Sequence, residues 1–129
     1  MPYVPNELLA RLVGRDLDSV VFLEWYCQLV FGGAYLNCDV WPRVDLGEGE
    51  IEYGSPGYRD ALCSLLATPV IATQEQTGLG LVVEFDSGTV RIHPSRDELE
   101  GPEIALLGGF DDRSWMCWRP GEESFEDLA

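Results

Sequence analysis

The sequence contains no lysine and only one histidine. All eight of its basic residues are arginines, and they face 23 aspartates and glutamates, so the formal net charge is -15 over 129 residues. Without lysine, the chain can have neither a P-loop lysine nor a Schiff-base mechanism. A surface this negative repels nucleic acid and anionic lipid. The composition therefore predicts no direct nucleic-acid or membrane contact and favours a basic protein partner.

Long apolar runs and paired metal-ligand motifs are also missing. No run reaches the roughly 18 residues that a membrane span needs, and the N-terminal sequence does not read as a secretory signal. Cysteines 27, 38, 63 and 117 stand apart without a C-x-x-C pair. We therefore expect a cytoplasmic protein with reduced thiols, disulfides being the alternative if it is exported. His93 has no recognisable nucleophile or ligand set beside it, so no catalytic residue, cofactor or metal is predicted.

The apolar content and the patterning predict a single α+β domain over residues 1–129. Hydrophobic residues make up 46% of the chain, which is ordinary for a globular protein. One helix is predicted from Asn6 to Gly14, and a second is predicted to start at Ser55 and Pro56. Strands are predicted at residues 17–23, 26–31, 34–41, 70–73, 79–85, 89–93, 103–107 and 114–119. Residues 43–57 are predicted to be an acidic, glycine-rich loop, and residues 120–129 an acidic tail.

The order of these elements indicates an internal duplication. A helix followed by three strands is predicted over residues 6–41 and again over residues 55–93. Apolar positions correspond at a spacing of 53 or 54 residues, and these pairs are Leu17 with Val70, Leu29 with Val83, and Phe31 with Phe85. We expect two such meanders, in one antiparallel sheet or in two packed sheets, followed by a C-terminal hairpin. The alternative is a chance likeness between common hairpins.

Acidic runs are the candidate binding surface. The acids expected to contact a basic partner are Glu48, Glu50, Glu52, Asp111, Asp112, Glu122 and Glu123. The first three alternate, so in an extended conformation they would lie on one side. Trp118, in the last predicted strand, is the candidate aromatic anchor if its face of the strand is exposed. The alternative is that the tail covers Trp118 through Phe125.

The segment WMCWRPGEESF at residues 115–125, with the hairpin FDSGT at residues 85–89, resembles small acidic bacterial proteins of the immunity-protein type. The resemblance implies a small α+β cytoplasmic protein, and it carries over no catalytic residue.

These observations predict a non-enzymatic module that binds a basic protein. Its most concrete form is an immunity or inhibitor protein against a basic toxin or nuclease, in which charge would steer association. One alternative is an assembly protein that forms a homodimer. The other is a small ligand-binding or enzymatic domain with a carboxylate site.

Overall fold

The computed structural model describes residues 3–129 and places them in two antiparallel sheets. The strands are Ser19–Phe22 (β1), Cys27–Phe31 (β2), Ala34–Cys38 (β3), Arg43–Asp45 (β4), Glu50–Ile51 (β5), Val70–Gln76 (β6), Gly80–Phe85 (β7), Gly88–Ile92 (β8), Ala105–Gly108 (β9) and Met116–Trp118 (β10). The helices are one α-helix, Tyr58–Cys63 (α1), and three 3-10 helices, Leu9–Leu12, Arg96–Glu98 and Glu123–Leu128. Within the described residues, no helix is long and apolar enough to cross a membrane.

The predicted antiparallel α+β class is confirmed, and the meanders lie in two sheets. The first sheet has the order β1-β2-β3-β9-β10, and the second has the order β5-β4-β8-β7-β6. Each sheet is therefore a three-stranded meander with a hairpin added beside its third strand. The hairpin β4–β5 follows the first meander in the chain but pairs with β8 of the second. The predicted C-terminal hairpin, β9–β10, pairs with β3 of the first meander.

Alternation between buried and half-buried residues explains why the central strands were predictable. In β2 and β3 every second side chain is buried, as expected for strands with one face on a core. The turn between them is Gly32-Gly33, and both residues have positive φ, which is the conformation that a two-residue hairpin turn with the correct twist requires. Buried side chains from both sheets join in one hydrophobic core.

The prediction of a loop over residues 43–57 is wrong in part, because this segment contains β4 and β5. Val44 is fully buried and pairs with Val90 of β8. Between the two strands, Gly47 and Gly49 both have a φ of 106°. Strands of three and two residues are too short to show a period in the sequence; β4 pairs with β8, and β5 pairs with β4.

Both predicted helices are shorter than expected. Asn6 does not cap a helix, because it has a φ of 70° and its side chain exchanges hydrogen bonds with Thr73 instead. The second helix begins at Tyr58, after Gly57, rather than at Ser55 and Pro56. The acidic tail is packed: it forms the last 3-10 helix, and Phe125 within it is fully buried.

A buried carboxylate, that of Glu75 in β6, joins parts of the molecule that are distant in the chain. Its Oε1 accepts hydrogen bonds from the Tyr3 hydroxyl at 2.6 Å and the Asn6 amide at 2.8 Å. Its Oε2 accepts from the Trp118 indole at 3.0 Å and the Ser124 hydroxyl at 2.7 Å. Burial, and then the contact with Glu75, raise the pKa of Tyr3 well above its usual value. The phenol therefore remains a donor at neutral pH.

Replacing Glu75 by Gln is expected to lower the free energy of unfolding by about 3 kcal/mol. The hydroxyl donors can rotate, but the Asn6 amide and the Trp118 indole cannot accept a hydrogen bond, so one of them would face the new NH2 group. Urea unfolding followed by tryptophan fluorescence measures the change.

Glu84→Gln on β7 is the matched control, since the Glu84 side chain contacts the exposed Gln74 at 3.2 Å. Its effect is expected to stay within about 0.5 kcal/mol. Equal losses in the two variants would contradict a special role for Glu75.

Candidate functional site

A groove at one end of the two sheets collects aromatic and acidic side chains. It has a volume of about 250 Å³, and a second depression of about 270 Å³ shares Trp25, Asp39 and Glu100 with it. We call the first the acidic aromatic groove. Its aromatic and acidic lining comes from four segments that connect other elements, the last of which contains the 3-10 helix Arg96–Glu98: Trp25, Asp39, Trp41, Tyr53, Asp97, Glu98 and Glu100.

The aromatic residues of the groove are one stacked pair of rings and one exposed indole. Trp41 and Tyr53 are stacked with ring centroids 4.0 Å apart and planes at 6°, and Tyr53 meets the edge of Tyr58. The Tyr58 hydroxyl in turn donates to the carbonyl of Pro42. Trp25, at the tip of the β1–β2 hairpin, is 69% exposed. The groove therefore offers a rigid ring pair and one accessible indole.

Most of the groove carboxylates have no cation beside them. Within residues 3–129, the ion pairs include none of Asp39, Asp97 and Glu100. Glu98 differs, because its Oε1 accepts from Arg43 and from the amide of Ser95, both at 2.8 Å. Burial alone would raise the pKa of Glu98, but these two donors outweigh burial and lower it.

The surroundings of Asp39 oppose its ionisation. Its pKa is raised, first by burial and then by repulsion from Glu103. Glu103 itself is drawn towards Arg119 at 3.4 Å and accepts from the Cys117 thiol at 3.2 Å. A cation entering the groove would lower the cost of charge at Asp39.

Three of the acids predicted to bind a partner are paired inside the chain instead. These pairs are Glu50 with Arg91, Glu52 with Arg43, and Asp112 with Arg11. Because Arg43 and Arg91 are opposite one another in the β4–β8 register, Glu50 and Glu52 contact the same face of the sheet. The Ser114 amide and then Arg11 lower the pKa of Asp112 to about 2.

The remaining predicted residues do not form the groove either. The acids among them are exposed and lie in three separate segments of the chain: Glu48, Asp111, and Glu122 with Glu123. Trp118 is wrong as an exposed anchor, because it is fully buried and donates to Glu75. Trp115, which directly precedes the last strand, is the exposed tryptophan of this segment, at 66%.

His93 lies beside a carboxylate that its sequence context did not reveal. Its Nε2 is 2.7 Å from Asp127 Oδ2, and its ring stacks on Phe125 at a centroid distance of 6.0 Å. Burial opposes the ionisation of Asp127, but the contact with His93 outweighs it and lowers the pKa. The pair ties the last 3-10 helix to the end of β8, which is a structural use of the histidine.

The cysteines are free, and those with shifted pKa values are poor nucleophiles at neutral pH. Burial, then Glu103, raise the pKa of Cys117 to about 11. The contact with Cys27, and then burial, raise the pKa of Cys38. Across residues 3–129, no three His, Cys, Asp or Glu side chains are grouped so that they could hold a metal ion.

Sequence reasoning missed the groove, although one signal was present. Trp25 follows an acid directly, Tyr53 does the same, and Trp41 lies two residues after Asp39, all in connections between strands or helices. Aromatic residues beside acids in connecting segments therefore indicate this groove, whereas the runs of acids do not. No protein-family model, curated protein or solved structure matches this chain.

Replacing Asp39 by Asn is expected to stabilise the fold at pH 7. The folded-state pKa of Asp39 is raised above its unfolded value of 3.8, so its contribution to stability is present below that value and is lost as the pH rises through the folded pKa. The gain from Asn should therefore grow with pH and disappear near pH 3. Urea unfolding at a series of pH values measures it. A gain that is the same at all pH values would contradict the electrostatic cause.

Proposed function

We propose that this chain is a non-enzymatic, acidic protein-binding module and that its acidic aromatic groove receives a basic partner protein. The observation that carries the proposal is that three groove carboxylates, Asp39, Asp97 and Glu100, form no ion pair within the described part of the chain and lie beside solvent-accessible aromatic rings. Aromatic residues are enriched in the buried centre of protein–protein interfaces. Carboxylates around them select a partner of positive charge.

The charge of the whole chain supports the same proposal. A net charge of -15 speeds the approach of a cationic protein and makes the rate depend on salt. Acids that are paired within the chain, such as Glu50 with Arg91 at 2.7 Å, contribute less to this attraction than unpaired ones. The groove carboxylates, which have no such pairing in the described chain, therefore attract a cationic partner more strongly than the paired acids do.

The more concrete form of the proposal is an immunity or inhibitor protein of the cytoplasm that blocks a basic toxin or nuclease. A nuclease needs a positive surface for its phosphate substrate, and an acidic surface with aromatic anchors is the complement of such a surface. The resemblance of residues 85–89 and 115–125 to small acidic immunity-type proteins supports this form.

Self-association is a second candidate, favoured by the edge strand β1. Val21 within this strand and Leu23 directly after it are 39% and 42% exposed, and an open apolar edge can pair with a second copy. Sedimentation equilibrium at high protein concentration decides this candidate, because a monomer at all concentrations would eliminate it.

The groove and the acidic runs predicted from the sequence can be compared directly in binding experiments. The groove variant is Asp39→Asn with Asp97→Asn and Glu100→Gln. The control variant removes the same charge at exposed acids elsewhere, Glu48→Gln with Asp111→Asn and Glu122→Gln. Each chain is used to capture basic proteins from native cell lysate at low salt, followed by affinity measurement on the captured protein.

We expect the groove variant to bind the captured protein at least about tenfold more weakly, a loss of about 1.4 kcal/mol. The control variant should retain affinity within about twofold and change mainly the association rate. Equal weakening by the two variants would show that net charge alone is responsible and would contradict the groove.

We also infer that the chain arose by internal duplication. The two sheets share the same strand order, and β3 and β8 start and end at positions 54 residues apart. In both halves a helix and a meander precede a hairpin that pairs with the other half. The two halves therefore correspond both in the 53- or 54-residue spacing of their apolar positions and in the order of their elements.

A fragment of residues 55–129 provides a test of the duplication. If β8 and β3 are equivalent, hairpin β9–β10 of one copy should pair with β8 of another, and the fragment should form a dimer. Sedimentation and circular dichroism measure the mass and the strand content. An unfolded monomer would count against the equivalence.

A further inference from the structure

Trp25 is the one groove aromatic whose ring faces are left open. It is 69% exposed, and within residues 3–129 it takes part in none of the aromatic pairs or arginine–ring contacts. Tryptophan is the best side chain for holding a cation against its face. An accessible indole at a hairpin tip therefore has room for a cation from outside the chain.

Carboxylates stand beside the same indole. Asp39 and Glu100 line both of the depressions that contain Trp25. A cation that stacks on Trp25 is therefore close to two negative charges, which reinforce its attraction to the ring. Burial and Glu103 make negative charge at Asp39 unfavourable, and a cation at this place would relieve that cost.

Arginine fits these surroundings better than lysine. Its guanidinium is planar and weakly hydrated, so it can stack on an indole while its edge donates to carboxylates, whereas an ammonium is compact and strongly hydrated. The chain uses the same two contacts internally: Arg91 donates to both oxygens of Glu50 at 2.7 and 3.0 Å, and Arg59 lies 5.2 Å from the centre of the Phe22 ring.

We infer that the acidic aromatic groove receives an arginine side chain of the basic partner, with the guanidinium stacked on Trp25 and donating to Asp39 and Glu100. The inference rests on the proposed function and adds the identity of the contacting group. The charge complementarity of the groove and the open indole faces are the observations that select this occupant.

Two short labelled peptides of equal positive charge test the inference. They have the same sequence, except that every basic residue is arginine in one peptide and lysine in the other. Their affinities for the full chain are measured by fluorescence anisotropy at about 0.1 M salt, where unspecific attraction is partly screened. We expect the arginine peptide to bind at least about tenfold more tightly. This ratio corresponds to about 1.4 kcal/mol.

Substitution of Trp25 identifies the contact. Trp25→Ala should weaken the arginine peptide about tenfold and the lysine peptide less than about twofold, which would remove the preference for arginine. Trp25→Phe keeps a ring and should restore part of the preference. Trp115→Ala is the matched control, because Trp115 is 66% exposed but lies outside the groove, and it should leave both affinities unchanged.

The outcomes separate the inference from the proposed function. If both peptides bind equally well and Trp25→Ala has no selective effect, the module still binds cations but the arginine contact is wrong. If neither peptide binds the native chain even at low salt, the proposed function and the inference both fail.

Discussion

The carboxylate of Glu75 is the interaction on which the arrangement of the two sheets depends. Strand β6 is an edge of the second sheet, and β10 is an edge of the first. The hydrogen bond from Trp118 to Glu75 joins these two edges, and Tyr3 and Ser124 bring both ends of the described chain to the same point. No cation accompanies this carboxylate among the described ion pairs. Four donor groups contact its two oxygens instead, so the buried acceptor atoms are satisfied without a salt bridge.

The eight arginines are too few to neutralise 23 acids, so their positions determine where negative charge remains. Arg43 contacts three different groups: it donates to Glu98 at 2.8 Å and to the His93 carbonyl at 2.8 Å, and it lies 3.4 Å from Glu52. Arg43 thus joins the start of β4 to the residue after β8 and to the 3-10 helix Arg96–Glu98, close to the groove. Among residues 3–129, the neighbouring carboxylates Asp39 and Glu100 take part in no ion pair. The acidic aromatic groove is therefore a place where negative charge is not neutralised by the arginines of the described chain.

Local patterns predicted the strands that bury one face on the core, because alternation in Cys27–Phe31 and Ala34–Cys38 is a direct record of that burial. They did not predict β4 and β5, because these strands are short and β4 pairs with β8, which is distant in the sequence. The direction of Trp118 could not be read from the sequence, since the predicted strand over residues 114–119 carries a tryptophan on each face, Trp115 on one and Trp118 on the other. The groove was missed for a related reason: its side chains come from four connections, and only the fold brings them together.

The exchange of hairpins between the two halves explains why these connections meet. Residues 39–42 lead from β3 to β4 and therefore cross from the first sheet to the second, while residues 93–104 lead from β8 to β9 and cross back. The first crossing carries Asp39 and Trp41, and the second carries Asp97 and Glu100. The ion pair between Arg43 and Glu98 links the two crossings at 2.8 Å. Two of the four connections that line the groove are thus the segments that the exchanged hairpins require, and the other two carry Trp25 and Tyr53. To that extent the groove is a consequence of the topology.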